Sequence, residues 1–157
     1  MTVAPRPSRV AAQVAAFHTA YDLPLRTLPT VEVGADQLAL RQALIEEEVA
    51  ELAVAARAGD LIGIADALGD IVYVAYGTAH VYGIDLDGVV DAIHVSNMTK
   101  LGADGRPIRR ADGKILKGPD YRPPEIGAVL HRLVEEIARP DHTGAVDKDP
   151  QALPGRA

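Results

Sequence analysis

Apolar residues recur every three or four positions along most of this chain, and the breaks between these runs fall at glycine and proline. Val10, Val14 and Phe17 predict a first helix from the cap Ser8 to about Ala20. Pro24 and Pro29 forbid helix next, so the chain to Gly34 is expected to be an extended connection. The set Leu40, Leu44, Ile45, Val49, Leu52 and Ala56 predicts a central helix capped by Asp36 and ended by Gly59. Asp60 caps a second long helix, Leu61 to Tyr82, with Gly83 as its stop signal. So short a connection makes these two helices an antiparallel hairpin. Asp85 caps a third long helix through Val89, Val90 and Ile93 to about Leu101. From Gly102 onward a segment rich in Gly, Pro and Asp reads as a long loop with a small hairpin turning at Asp112-Gly113. Pro124 at the first helical position then opens a last helix to about Ala138, with Ile126, Val129, Leu130, Leu133 and Ile137 inward. The expected fold is all-α, an antiparallel bundle of about four to five helices with a basic loop before the last. It occupies residues 1–138 as a single domain, with a loose start over 1–7 and a disordered tail over 139–157.

Charge divides this pattern in two. The formal charge is −6, which argues against nucleic acid and anionic membrane as partners. From Glu46 to Asp91 there are ten acids against Arg57 alone, whereas from Asn97 to Arg122 there are seven bases against three acids. The chain has no cysteine, so thiolate chemistry and disulfides are excluded. The first twenty residues make a poor secretory signal, and the longest uncharged stretch, Ile71 to Ile84, is 14 residues and holds Gly77 and His80. A soluble cytoplasmic protein is expected.

The acids are concentrated in LRQALIEEEVAEL. Glu47, Glu48 and Glu51 fall within about a 100° arc of one helix face, with Glu46 further round. Like charges one turn apart repel, so the face is either solvated or meets something positive. Across the hairpin, Asp66 and Asp70 come level with Glu51, and one shared pocket of three Glu and two Asp is geometrically possible. Such a pocket opposite a basic segment suits phosphoryl chemistry. A hard divalent cation held by the acids would bind phosphate oxygens and lower the pKa of a bound water, while Lys and Arg neutralise a departing polyphosphate. No glycine-rich loop followed by Lys-Ser or Lys-Thr is present, which excludes a Walker-type cradle.

LRQALIEEEVAEL, DALGDIVYVAYG, IHVSNMTK and RRADGKILKGPDYRPPEI, in this order over about residues 38–133, resemble the all-α nucleoside triphosphate pyrophosphatases. This superfamily holds MazG-like proteins, phosphoribosyl-ATP pyrophosphohydrolases and dimeric dUTPases, and the nearest likeness is to the short MazG-like dUTP diphosphatases. The resemblance implies hydrolysis of a (deoxy)nucleoside triphosphate, dUTP favoured, to monophosphate and pyrophosphate with Mg2+ or Mn2+. The family's E-E-x-x-E and later E-x-x-D fall on Glu47, Glu48, Glu51 and Asp70, with Glu47 or Glu48 positioning the water. The chain departs at Ala67, where the family has an acid; Asp66, on the same face as Asp70, is the available substitute. By the same resemblance Asn97 and Lys100 face the nucleotide. Arg110, Lys114, Lys117 and Tyr121 belong to a segment closing over phosphates, within a homodimer or homotetramer. Arg109 and Arg110 also read as plain solvated loop charges, Tyr121 reads equally well as a packing anchor, and Tyr73 and Tyr76 are expected to pack within the bundle. A noncatalytic nucleotide- or metal-binding helical module is the competing reading, favoured by the departure at Ala67. A di-iron carboxylate bundle would need Glu-x-x-His pairs, and none is present.

Overall fold

The structure is a computed structural model that describes residues 7–138; the expected tail, 139–157, lies outside them. The described chain forms five helices in sequence: α1 (Arg9–Ala20), α2 (Ala35–Ala58), α3 (Leu61–Tyr82), α4 (Leu86–Met98) and α5 (Ile126–Ala138). Strand pairing among the described residues is limited to two isolated bridges, Leu101 with Pro107 and Arg109 with Ile115.

Local chemistry accounts for most helix ends. Ser8 accepts from the Ala11 N–H, Asp60 from those of Ile62 and Gly63, and Asp85 from that of Gly88, so three helices begin on an oxygen that takes up otherwise unpaired amides. Gly59 and Gly83 end α2 and α3 in the left-handed conformation, at φ 68° and 67°. Three expected boundaries move. The cap of α2 is Gly34, leaving Asp36 in the first turn, where its charge suits the helix dipole. α4 stops at Met98, because the Thr99 hydroxyl takes up the Ser96 carbonyl at 2.7 Å and the chain turns there. α5 begins at Ile126 rather than Pro124, with the Glu125 carbonyl accepting from Ala128 at 3.1 Å.

α2 and α3 pack as the expected hairpin, and α1 lies along α3. The connection between α1 and α2 is extended because it serves the end of α3. Arg26 and Thr30 donate backbone N–H groups to the carbonyls of His80 and Tyr82, and Arg26 Nη1 reaches the Val81 carbonyl at 2.6 Å. The last carbonyls of α3 thereby find donors that the helix itself cannot supply. Asp87 joins three helices by accepting from the Ser8 N–H and the Tyr76 hydroxyl, each at 2.7 Å.

The inward faces differ from the expected ones. α1 buries Ala11, Val14 and His18, while Phe17 is 39% exposed. On α2 the buried residue is Arg41, while Leu40 and Val49 are 44% and 52% exposed. α3 leaves Leu61, Leu68 and Val72 exposed along one stripe. By length and composition α3 would cross a bilayer, with a mean hydropathy of 1.3. Asp66 and Asp70 interrupt it, however, and it packs against α1 and α2 while its other face stays exposed.

Candidate functional site

The α2–α3 hairpin gathers the predicted acids around one carboxyl. Glu48 is half-buried, and its Oε2 is closed off from solvent with no hydrogen-bond partner. Burial, followed by the charges of Asp70, Glu51, Glu47 and Asp66, pushes this carboxyl above the ordinary range. Each of the other four predicted acids therefore bears on Glu48. Glu46 turns away and accepts from Gln42 Nε2 at 2.8 Å. Ala67 is 2% exposed, inside the packed side of α3, while Asp66 and Asp70 stand at the surface. Among the described residues, no three acidic or histidine side chains form a ready-made metal site. The acids surround Glu48 without closing on a point. As a donor set they fit a hard divalent cation, because all are carboxylates and the shielded Glu48 oxygen lacks any other partner.

The basic segment is organised at the end of α4. Asn97 lies exposed on the last turn, and Lys100 falls just beyond the helix, its N–H donating to the Asn97 carbonyl at 3.2 Å. Lys117 Nζ lies 4.3 Å from the Tyr121 ring centroid. The neighbouring Ser96 hydroxyl, aided by the charges of Lys117 and Lys100, holds the Tyr121 hydroxyl below the usual phenol range against the effect of burial. Lys100, Lys117 and Tyr121 thus come together. The packing depends on Gly118: a Cβ there would sit 1.8 Å from the Leu101 carbonyl oxygen. Further out, the Arg110 N–H meets the Lys114 carbonyl at 2.8 Å across a turn through Ala111–Gly113, which is the hairpin expected at Asp112-Gly113. Arg110 pairs with Asp112 there, and among the described residues no ion pair links this tip to the acids.

A second polar group is not evident from charge counting. Gln37, Arg41 and Glu48 lie within about 40° on one stripe of α2, and each carries a buried atom without a partner: Gln37 Oε1, Arg41 Nε and Glu48 Oε2. His18, 2% exposed, bonds through Nδ1 to the Pro24 carbonyl at 2.7 Å. Its Nε2 and Arg41 Nη1 come within 3.0 and 3.1 Å of where a Cβ on Gly77 would lie. Burial lowers the His18 pKa, as do the charges of His80 and Arg41, while the Pro24 bond opposes them. The available signal in the sequence was a glutamine and an arginine recurring at the spacing of an inward stripe. An open cleft of about 740 Å³ lies elsewhere, between the start of α1 and helices α3, α4 and α5, and none of the predicted site residues lines it.

The chain is similar over 48 residues, at 54% identity, to an uncharacterized protein of Acanthamoeba polyphaga mimivirus; the match spans 31% of this chain and 19% of that relative's length. A solved structure named "putative NTP pyrophosphohydrolase", from Exiguobacterium sp. 255-15, aligns over 85% of this chain and 100% of its own, with 24% identity and a TM-score of 0.48. The model of the family described as phosphoribosyl-ATP pyrophosphohydrolase matches residues 14–97, which run from α1 through the acidic hairpin to the end of α4. Because this match takes in more than half of the chain, the protein belongs to the phosphoribosyl-ATP pyrophosphohydrolase family, and with it to the all-α NTP pyrophosphatase superfamily.

Proposed function

We propose that this protein is a metal-dependent nucleoside triphosphate pyrophosphohydrolase, with dUTP the favoured substrate. The observation that carries the reading is Glu48, whose unpartnered carboxylate oxygen is surrounded by four further acids at a cost no stability argument recovers. Glu47, Glu48, Glu51 and Asp70 would hold Mg2+ or Mn2+, with Asp66 taking the part of the acid absent at Ala67. When bound, the cation supplies charge neutralisation and Lewis acidity at phosphate oxygens. Glu48 or Glu47 orients water toward the α-phosphorus and takes its proton. The bond from the α-phosphorus to the bridging oxygen breaks, and the electron pair leaves with pyrophosphate. Lys100 and Lys117 offset the charge on that leaving group, while Asn97 and Tyr121 contact the nucleotide. Arg110 and Lys114, at the exposed hairpin tip, close over the phosphates of a neighbouring subunit. The stripe Leu61, Leu68 and Val72, exposed on one side of α3, supports a homodimer or homotetramer, since adjoining apolar side chains left in water suit a contact surface.

Purified protein incubated with dUTP, the other dNTPs or phosphoribosyl-ATP, plus Mg2+ or Mn2+, should release pyrophosphate. No release with any of them sinks the enzymatic reading. The second reading, a noncatalytic nucleotide- or metal-binding module, is favoured by Ala67 and by the unclosed acid set. Calorimetric nucleotide binding without hydrolysis would decide for it.

A further inference from the structure

Half of this protein's few aromatic residues are gathered beside the acids. The chain has one Phe and five Tyr and no Trp. Phe17 lies against Tyr21, with ring centroids 4.5 Å apart, and edge-on to Tyr73 at 5.7 Å and 80°. Phe17, Tyr21 and Tyr73 are nevertheless 39%, 66% and 36% exposed. Such an arrangement leaves ring surface in water that packing alone would have covered.

Position along the hairpin gives the patch a direction. Asp70, Tyr73 and Gly77 fall within about 60° on one stripe of α3, a turn apart in succession. Facing them on α2 is the stripe Gln37, Arg41 and Glu48, and from Glu48 to Arg41 the helix rises about 10 Å. A seam therefore runs from carboxylates at one end, past the aromatic rings, to Arg41 at the other. Arg41 is 8% exposed, makes no ion pair among the described residues, and keeps Nε without an acceptor. A buried guanidinium in that state is missing a partner. His18 Nδ1 is engaged by Pro24, so its Nε2 faces the same spot as an acceptor. Gln37 Oε1, one turn away from Arg41, is a further acceptor without a donor.

We infer that the Phe17–Tyr73 patch is the seat on which the nucleotide's base stacks, with Arg41 donating to a carbonyl or ring nitrogen on the edge of that base. This rests on the pyrophosphohydrolase reading for the placement of the phosphates at Glu48. A base has two apolar faces and an edge where donors and acceptors alternate, so it answers the exposed rings and the mixed polar set together. A phosphate, which offers mostly acceptors and no apolar face, would leave the rings unanswered.

The test is titration calorimetry with dUMP and dCMP on one side and inorganic tripolyphosphate on the other. Wild type should bind the monophosphates. Phe17→Leu, which keeps apolar volume but removes the π face, should weaken them about tenfold, in line with the loss of one base–aromatic stack. Tyr73→Leu should do the same, Phe17→Tyr should bind as wild type, and tripolyphosphate should bind equally to all. Arg41→Lys should shift the dUMP to dCMP ratio. Circular dichroism confirms the fold of each variant, and Phe17→Tyr serves as the control should either leucine variant unfold. Unchanged dUMP binding in both leucine variants, or none in the wild type, overturns the inference. So does dissociation of an oligomer by Phe17→Leu without loss of affinity, which would assign the patch to a second copy of the chain. Hydrolysis of dUTP with unchanged binding in the variants removes the base seat alone. Loss of dUMP binding in the variants, with no hydrolysis of any triphosphate, removes the enzymatic reading alone.

Discussion

The two halves of the α2–α3 hairpin place polar groups on the same facing stripes but treat them in opposite ways. Near the Gly59-Asp60 turn, Glu47, Glu51, Asp66 and Asp70 stand in solvent around the half-buried Glu48, with little to support them. At the other half α1 closes over the seam, and His18, Arg41 and Gly77 are buried. The difference separates a surface where repulsion is tolerated from an interior where every contact is a steric fit. The acidic half should therefore respond to charge and metal, the buried half to volume and pH.

The largest effect is expected from Glu48→Gln. Loss of the group that takes up the proton should lower pyrophosphate release by about 100-fold or more. The same change should raise the melting temperature in EDTA, because the crowded environment disfavours the Glu48 charge in the folded state. A wild-type rate, or a lowered melting temperature without metal, would erase the contrast between the two halves.

In the buried half, Gly77→Val should destabilise the protein by about 1–3 kcal/mol in urea titration, as overpacking does. Its side chain would meet His18 Nε2 and Arg41 Nη1, and His18 is held in place by Pro24. An unchanged midpoint would show that this end of the seam is loose. Gly118→Ala tests the basic segment. The close approach to the Leu101 carbonyl forces the loop outward, carrying Lys117 and Tyr121 with it. A loss of about tenfold in kcat is expected, equivalent to about 1.4 kcal/mol, with the metal-induced rise in melting temperature preserved.

The smallest effect is a slope in stability against pH. Burial holds the folded His18 below the 6.5 of a free imidazole, so below pH 6.5 the unfolded chain binds more protons than the folded one. Stability is complete above pH 6.5 and declines as pH falls toward the folded value, by at most about 1.4 kcal/mol per pH unit. The groups facing the imidazole are Arg41 from α2, His80 from α3 and the Pro24 carbonyl, and none of them carries a negative charge. His80 in turn interacts with Asp87, which burial would raise but the bonds from Ser8 and Tyr76 hold below its ordinary range. In His18→Gln the slope below 6.5 should flatten; an identical slope would assign it to another group.

Much of the fold was legible from the chain because helix ends are local events. Asp60, Gly59, Gly83 and Asp85 act on amides and carbonyls within four residues, and all fall where the pattern placed them. Pro124 as first helical residue and Asp36 as cap are each two residues away from the observed start, since several residues near each start could serve equally well. The inward faces were less legible. An apolar set on α2 was expected to point inward, yet Arg41 is what α1 and α3 cover, and Leu40 and Val49 remain outside.

The sequence by itself determined the helices, the hairpin and the density of acids on it, because period, caps and charge spacing act within a few residues. Only the tertiary structure decided which carboxyl the others bear upon, that Lys100, Lys117 and Tyr121 meet at the end of α4, and that Phe17 stays in water beside Tyr73 while its neighbour His18 is buried. Those outcomes depend on the angle at which distant helices cross and on which oxygen is left without a partner, quantities that no local stretch of chain contains.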